Sequence, residues 1–247
     1  MKFSLTNEFR EDLKTAIENK DVRFIKSSFE GVSPADITEL LYEFDSVQSK
    51  YVVDNIDLET ASKIISELDE DTRQIFLINF ESVEIAKYLE IIASDDGADI
   101  LSELSPAVRN ETILSISDKE QSKNLKDLLQ YDDDVAGGLM AKELVKCNIN
   151  WKINQCIDLI KKQAEKVSRI YSVYVTDNKG ELLGKVSLKD IIVASDNSRI
   201  KDIYDDYVIS VDSKMNQEEV AIIMQKYDLD VLPVINKRGK LDRKSVV

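Results

Sequence analysis

Along residues 39–128 the apolar positions return on a beat of twelve. The hexads are ELLYEF (39–44), YVVDNI (51–56), KIISEL (63–68), IFLINF (75–80), KYLEII (87–92), DILSEL (99–104), ETILSI (111–116) and KNLKDL (123–128). Positions two, three and six are apolar in most of them, and positions four and five are often polar. That spacing gathers the apolar side chains on one helical face. A beat of this length holds about two helical turns and a short connection, so two beats predict a helical hairpin and successive hairpins a stacked solenoid. Ser33-Pro34 and Ser105-Pro106 read as an N-cap with proline at the first helical position. Asp57, Asp69 and Ser94-Asp95 fall in the gaps, where caps belong. Residues 1–32 continue as helix in a weaker register, through Phe9, Leu13, Ile17, Phe24 and Ile25, as suits a terminal cap.

From Lys142 the period changes. The pattern predicts a short strand over 144–147, an amphipathic helix over 153–164 and an apolar strand over 170–175. A turn at Asp177-Asn178-Lys179-Gly180 leads into a return strand over 182–186, and Ser187-Leu188-Lys189-Asp190 opens a helix as a capping box. The order then repeats: strand 208–211, helix 216–227, strand 231–235 and the turn Asn236-Lys237-Arg238-Gly239. Gly180 and Gly239 end equivalent turns 59 residues apart. Two such βαββα units pack face to face around a cleft. After Lys240 the reading Leu-Asp-Arg-Lys-Ser-Val-Val departs from a return strand, so the second copy is expected to stop short.

Between the halves lies Tyr131-Asp132-Asp133-Asp134-Val135-Ala136-Gly137-Gly138-Leu139-Met140, with three consecutive carboxylates and the one Gly-Gly pair. It reads as a charged, flexible joint. The 247 residues suffice for about two domains. Net charge is −14, and all of it falls in residues 1–130, where 28 Asp and Glu face 14 Lys and Arg; residues 131–247 hold 19 of each. A backbone-driven nucleic-acid binder needs a basic surface, so that class is disfavoured. No stretch approaches the roughly 18 apolar residues of a membrane span. The N-terminus MKFSLTNEFRED lacks a signal-peptide core, and the chain is expected to be neither secreted nor membrane-spanning.

There is no histidine, which removes a Ser-His-Asp triad and the commonest transition-metal ligand. A metal site must then be built mostly from oxygen, which suits magnesium, calcium or manganese. Cys147 and Cys156 form no cluster in the sequence, so neither a disulfide framework nor a cysteine metal site is expected. With no phosphate-cradling glycine loop and no catalytic acid pair, the chain reads as non-enzymatic.

Ala136-Gly137-Gly138-Leu139-Met140, Asp95-Asp96-Gly97-Ala98-Asp99, Tyr227-Asp228 ahead of Val231-Leu232-Pro233-Val234, and Gly184-Lys185-Val186-Ser187-Leu188-Lys189-Asp190 stand in an order and spacing that resemble one family. It is the cytosolic part of MgtE-type magnesium transporters. The resemblance implies a multidomain α plus α/β fold: a right-handed, solenoid-like superhelix over 1–130, a linker over 131–141, a CBS domain over 142–196 and an incomplete second CBS domain over 197–247. It implies a magnesium sensor on the cytoplasmic side of the membrane, working as a homodimer through its CBS domains. The sensor would gate a transmembrane pore of the same full-length protein, and the part seen here would be soluble. In the family, acids near the end of the second CBS motif help hold metal; the terminal 242–247 stretch departs from that pattern.

By resemblance, Asp95 and Asp99 are metal ligands and the Gly138 carbonyl faces them from the linker. Their i, i+4 spacing also puts both carboxylates on one helix face. Asp95 and Asp96 equally suit an N-cap and first-turn acid. Asp228, with the carbonyl of Gln225, matches a second metal position at the contact between CBS pairs of a dimer; otherwise it is a solvated loop acid. Asp190 matches a ribose-binding aspartate for ATP or another adenosine nucleotide, and it also fits the capping box with Ser187. Asp132, Asp133 and Asp134 read as solvating acids, as do Asp202, Asp205 and Asp206. Trp151 reads as a core or interface aromatic, while Tyr171 and Tyr174 occupy opposite sides of one strand. The alternatives to a magnesium sensor are an adenosine-nucleotide-binding CBS module and a protein-binding helical scaffold.

Overall fold

The computed structural model describes residues 6–132, 134–141, 144–164, 170, 172–195 and 197–245. Asp133, Tyr171, the boundaries at 142 and 196, and Val246 and Val247 lie outside the described residues. The chain divides into two compact units, Met1–Ile92 with Asp96–Leu125, and Ala93–Asp95 with Lys126–Val247.

The first unit is helical. Its elements are α1 (Asn7–Glu18), α2 (Val22–Phe29), α3 (Pro34–Leu41), α4 (Ser46–Asp54), α5 (Leu58–Glu67), α6 (Glu70–Leu77), α7 (Ser82–Leu89), α8 (Ser94–Glu103), α9 (Pro106–Ser115) and α10 (Lys119–Leu128). Helices α3 to α9 begin twelve residues apart, at 34, 46, 58, 70, 82, 94 and 106; α10 follows after thirteen. The beat therefore sets helix starts, and each apolar hexad forms the C-terminal half of a helix with the residues just after it. Positions two, three and six of successive hexads are buried: Ile64, Ile65 and Leu68, then Phe76, Leu77 and Phe80, then Tyr88, Leu89 and Ile92. Each such side chain contributes about 2 kcal/mol by leaving water. Alternate helices stack, α3 on α5, α5 on α7 and α7 on α9, with α4 on α6 in the other row.

Polar side chains close the helix ends. Asp45 accepts the Val47 and Gln48 amides, while Gln48 accepts the Asp45 amide, so α4 starts with a full capping box. Asp57 and Asp69 cap α5 and α6 by accepting from the amides of Thr60 and Thr72. At the other ends, long donors cover orphan carbonyls. Arg109 donates to the carbonyls of Leu101, Ser102 and Leu104 at the end of α8. The Gln121 side chain donates to those of Leu89, the last residue of α7, and Ile92 just beyond it.

The second unit holds two copies of one plan. The first copy has β2 (Val145–Asn148), α11 (Ile153–Gln163), β3 (Val173–Thr176), β4 (Leu182–Val186) and α12 (Leu188–Val193). The second has β5 (Val211–Asp212), α13 (Gln217–Tyr227), β6 (Leu232–Ile235) and β7 (Leu241–Ser245). In both, the first strand runs parallel to the second and the second antiparallel to the third. Each second strand carries its register shift at the same place, Val175/Thr176 and Val234/Ile235, 59 residues apart. The Gly180 and Gly239 turns both have positive φ, and they bond each other reciprocally. The Leu182 amide donates to the Gly239 carbonyl and the Leu241 amide to the Gly180 carbonyl, each at 3.0 Å. Leu144, Tyr174 and Leu241, with Leu182 and Val208, fill the space between the copies.

Two expectations change. The return strand of the second copy is present, as β7, paired with β6. Strand pairing is made by backbone groups, so a polar run can complete a sheet when one residue anchors it; buried Leu241 does so. The joint is also not a loose tether. A short strand β1 (Met140–Ala141) pairs with β7, giving the order β1-β7-β6-β5. The Ala136 and Gly137 amides donate to the carbonyls of Met215 and Ser213 at 2.7 and 2.8 Å, and the Gln217 amide donates to the Asp134 carbonyl at 2.8 Å. A Cβ on Gly137 would lie 2.1 Å from the Tyr131 ring, so glycine serves close packing there.

Candidate functional site

Asp95, Asp96 and Asp99 sit on α8. The helix starts at Ser94, so Asp95 and Asp96 occupy its first turn. First-turn carboxylates favour the positive end of the helix dipole. Asp95 is half-buried, whereas Asp96 and Asp99 are exposed. On the other side of the helix, Gly97 lets α8 approach α10: a Cβ there would meet Leu125 at 2.9 Å. Asp99 and Glu103 follow Asp95 at intervals of four, on one face.

Glu103 at the last turn is engaged. Arg73 of α6 grips it through both carboxylate oxygens, with Nε at 2.9 Å from Oε2 and Nη2 on Oε1. The other arm of the guanidinium donates to the carbonyls of Ser66 and Leu68, at 3.2 and 2.8 Å, at the C-terminal end of α5. The Glu103 carboxylate, with Asp99 and Asp96 adding to it, holds the Arg73 guanidinium charged more firmly than usual against the opposing effect of burial. Sequence reading missed this pair; its partners lie 30 residues apart.

Gly138 lies in the turn before β1, where its amide donates to the Val135 carbonyl at 2.9 Å. Asp228 ends α13 in the left-handed conformation, with φ 51 and ψ 56. Its amide donates to the Gln225 carbonyl, and both side chains are exposed. Glycine is usual at such a C-terminal position; aspartate tolerates it better than most residues. Asp190 is exposed in the first turn of α12. Its amide donates to the Ser187 hydroxyl at 3.0 Å, and that hydroxyl donates to the Asp190 carboxylate at 2.6 Å. The capping interaction read from the sequence is therefore present, made side chain to side chain on its second arm.

Within either unit, the described residues gather no three of His, Cys, Asp or Glu into one metal-holding group. Asp202 accepts the Arg199 amide, and Asp205 accepts the Tyr207 amide, so both are spent on local turns. Cys147 on β2 and Cys156 on α11, distant in the sequence reading, meet in the core of the first copy, both free and buried. Their mutual hydrogen bond and burial push the Cys147 thiol up. Trp151 packs against this same core. With the thiols sealed there and no histidine, the ligands left to a cation are hard oxygens, which suit magnesium, calcium or manganese alike.

Residues 32–134 match the MgtE intracellular N domain, and residues 135–197 and 200–241 match the CBS domain. The chain is similar to the magnesium transporter MgtE of Thermus thermophilus, 30% identical over 235 residues, covering 93% of this chain and 51% of that one. It is 24% identical over 220 residues to the magnesium transporter MgtE of Bacillus subtilis, covering 89% and 49%. The chain thus spans about half the length of these curated relatives. A crystal structure of the cytosolic domain of the Mg2+ channel MgtE in complex with ATP superimposes with a TM-score of 0.88 at 29% identity, covering 96% of this chain and 97% of that one. The soluble part of a magnesium transporter gives 0.85 at 25% identity, covering 97% and 94%. Among the described residues, no helix is long and apolar enough to cross a membrane.

Proposed function

The chain belongs to the MgtE type, an MgtE N domain joined to CBS domains, and on that premise we propose that it is the magnesium-sensing cytosolic region of a magnesium transporter. The observation that carries this reading is the carboxylate face of α8 in a chain with the domain composition of the MgtE cytosolic part. Magnesium, when bound, supplies two positive charges and a demand for near-octahedral oxygen ligands, several of them water. Asp95 and Asp99 offer carboxylate oxygens from α8, and Gly138 offers its carbonyl. Asp228 and the Gln225 carbonyl offer a second position, at a contact between two copies joined through their CBS domains.

Without a cation, these carboxylates repel other acids brought near them and the open arrangement is favoured. With it, repulsion turns to attraction and the closed arrangement dominates, by as much as the ion prefers that state. Closure on the cytoplasmic side then holds a transmembrane pore of the full-length protein shut, so that high internal magnesium limits its own entry. No catalytic step is assigned. The test is limited proteolysis across a magnesium titration at constant ionic strength. Magnesium protects the wild-type chain and leaves Asp95→Ala/Asp99→Ala unprotected; equal protection of both, or of neither, contradicts the proposal.

A second reading is favoured by one finding, the ATP complex of a similar cytosolic domain. On this reading, the CBS pair of this chain takes an adenosine nucleotide, with Asp190 at the ribose. Thermal stabilisation by ATP that disappears in Asp190→Asn supports it. Stabilisation that survives this change rules Asp190 out.

A further inference from the structure

The Arg73–Glu103 pair is costly to build. Its side chains are only 12% and 6% exposed. An apolar pair of the same volume often stabilises as well, so stability alone does not explain it. What it adds is charge against the working face of α8. Glu103 lies one helical step of four beyond Asp99, and Arg73 is fastened to it and to two carbonyls by four hydrogen bonds. The guanidinium therefore stands at a fixed place beside the carboxylates, and its charge is felt by Asp99 and Asp96 as well.

We propose that Arg73 is a resident counter-cation that sets the magnesium threshold of the Asp95 and Asp99 face, as a positioning residue and not a ligand. The proposal rests on the magnesium-sensing reading above. Arg73 weakens the pull of this face on a divalent ion, and Glu103 offsets part of that effect. The two halves of one ion pair then have opposite consequences. Arg73→Gln leaves Glu103 uncompensated and lowers the magnesium midpoint. Glu103→Gln leaves Arg73 uncompensated and raises it. Each shift is roughly fivefold: Glu103 lies about 6 Å of helix rise from Asp99 and about 12 Å from Asp95, and one unit charge acting on a divalent ion over such a range in a water-like dielectric is worth about that factor. A pair that served only to hold helices together would lose the same bonds in both variants, and both midpoints would move the same way.

The experiment measures the midpoint of magnesium-induced protease protection in the whole chain, with a thermal melt of each variant alongside. Arg73→Lys serves as the milder variant, since it keeps the charge and loses the planar fork. Its melting temperature should fall while its midpoint stays within about twofold of wild type, well inside the shift expected for one charge. Opposite shifts for Arg73→Gln and Glu103→Gln support the proposal, as does an unshifted Arg73→Lys where the glutamine variants fail to fold. Shifts of one sign, no shift in either, or an Arg73→Lys shift as large as that of Arg73→Gln overturn it. A wild-type chain with no magnesium response overturns the sensing reading and this proposal together, whereas a responsive wild type with same-sign variants overturns this proposal alone.

Discussion

Replacing Gly184 by alanine strikes the first CBS copy where another backbone segment passes close to β4. A Cβ there would stand 2.2 Å from the Asp205 carbonyl oxygen, 2.8 Å from the Tyr204 ring and 3.0 Å from the Asp205 carbonyl carbon. Two of these are backbone atoms, which cannot swing aside as a side chain can. Relief requires the 204–205 segment to withdraw from β4 by about 1 Å, well past ordinary hydrogen-bond length. Asp205 is held there by reciprocal bonds with Lys185, at 2.9 and 2.8 Å. Losing both costs about 1 kcal/mol each, and the remaining overpacking costs about 1 kcal/mol or more, for a total near 3 kcal/mol. Trp151 is the only tryptophan and packs on the same core as Tyr204, so its fluorescence during urea unfolding reports on this copy. With a slope of about 2 kcal/mol per molar urea, the midpoint should fall by about 1.5 M with the slope unchanged. A fall under about 0.4 M would mean that the segment yields without losing its bonds, and the close-approach account of Gly184 would be wrong.

Three further outcomes follow from the same geometry. Burial pushes the Tyr174 hydroxyl up to about 12 from 10.0, so the folded chain keeps a proton that the unfolded chain releases. Its contribution is complete below pH 10 and is lost as pH climbs toward 12; Tyr174→Phe should flatten the stability profile across that window, and an unchanged slope contradicts it. Both cysteines are buried, so an aromatic disulfide reagent should leave them unreacted in the native chain and titrate two thiols after denaturation; rapid native reaction would show the first CBS core to be open. Asp45→Ala removes the capping box of α4 and should lower stability by about 1 kcal/mol, while Asp45→Asn, which keeps an acceptor, should lose less.

The helical half was legible because its burial is local. The beat of twelve fixes both the buried face and the helix starts, and the capping aspartates at 57 and 69 stand where the beat leaves gaps. The spacing of 59 likewise foretold matched turns, since a positive-φ glycine marks each. What escaped is non-local or carried by the backbone. β7 is polar in sequence and is defined by its pairing with β6 and β1. The acidic joint looked flexible because nothing in its composition reveals that Ala136 and Gly137 bond to residues 215 and 213. Cys147 and Cys156 meet only because α11 folds back on β2. Asp95 and Asp96 could be assigned to a helix start, and both fall in the first turn of α8. The resemblance supplied Asp95, Asp99 and Gly138 as a set. Arg73, which completes the electrostatics of that face, follows no motif and needed the fold to bring α6 beside α8.

Small-angle X-ray scattering of the metal-free chain, titrated with magnesium at fixed ionic strength beside calcium and sodium controls, tests the central claim most directly. The radius of gyration should fall with magnesium, selectively, and Asp95→Ala/Asp99→Ala should keep its metal-free value throughout. A radius that stays constant in the wild type, or falls equally in the double variant, would contradict a magnesium sensor built on α8.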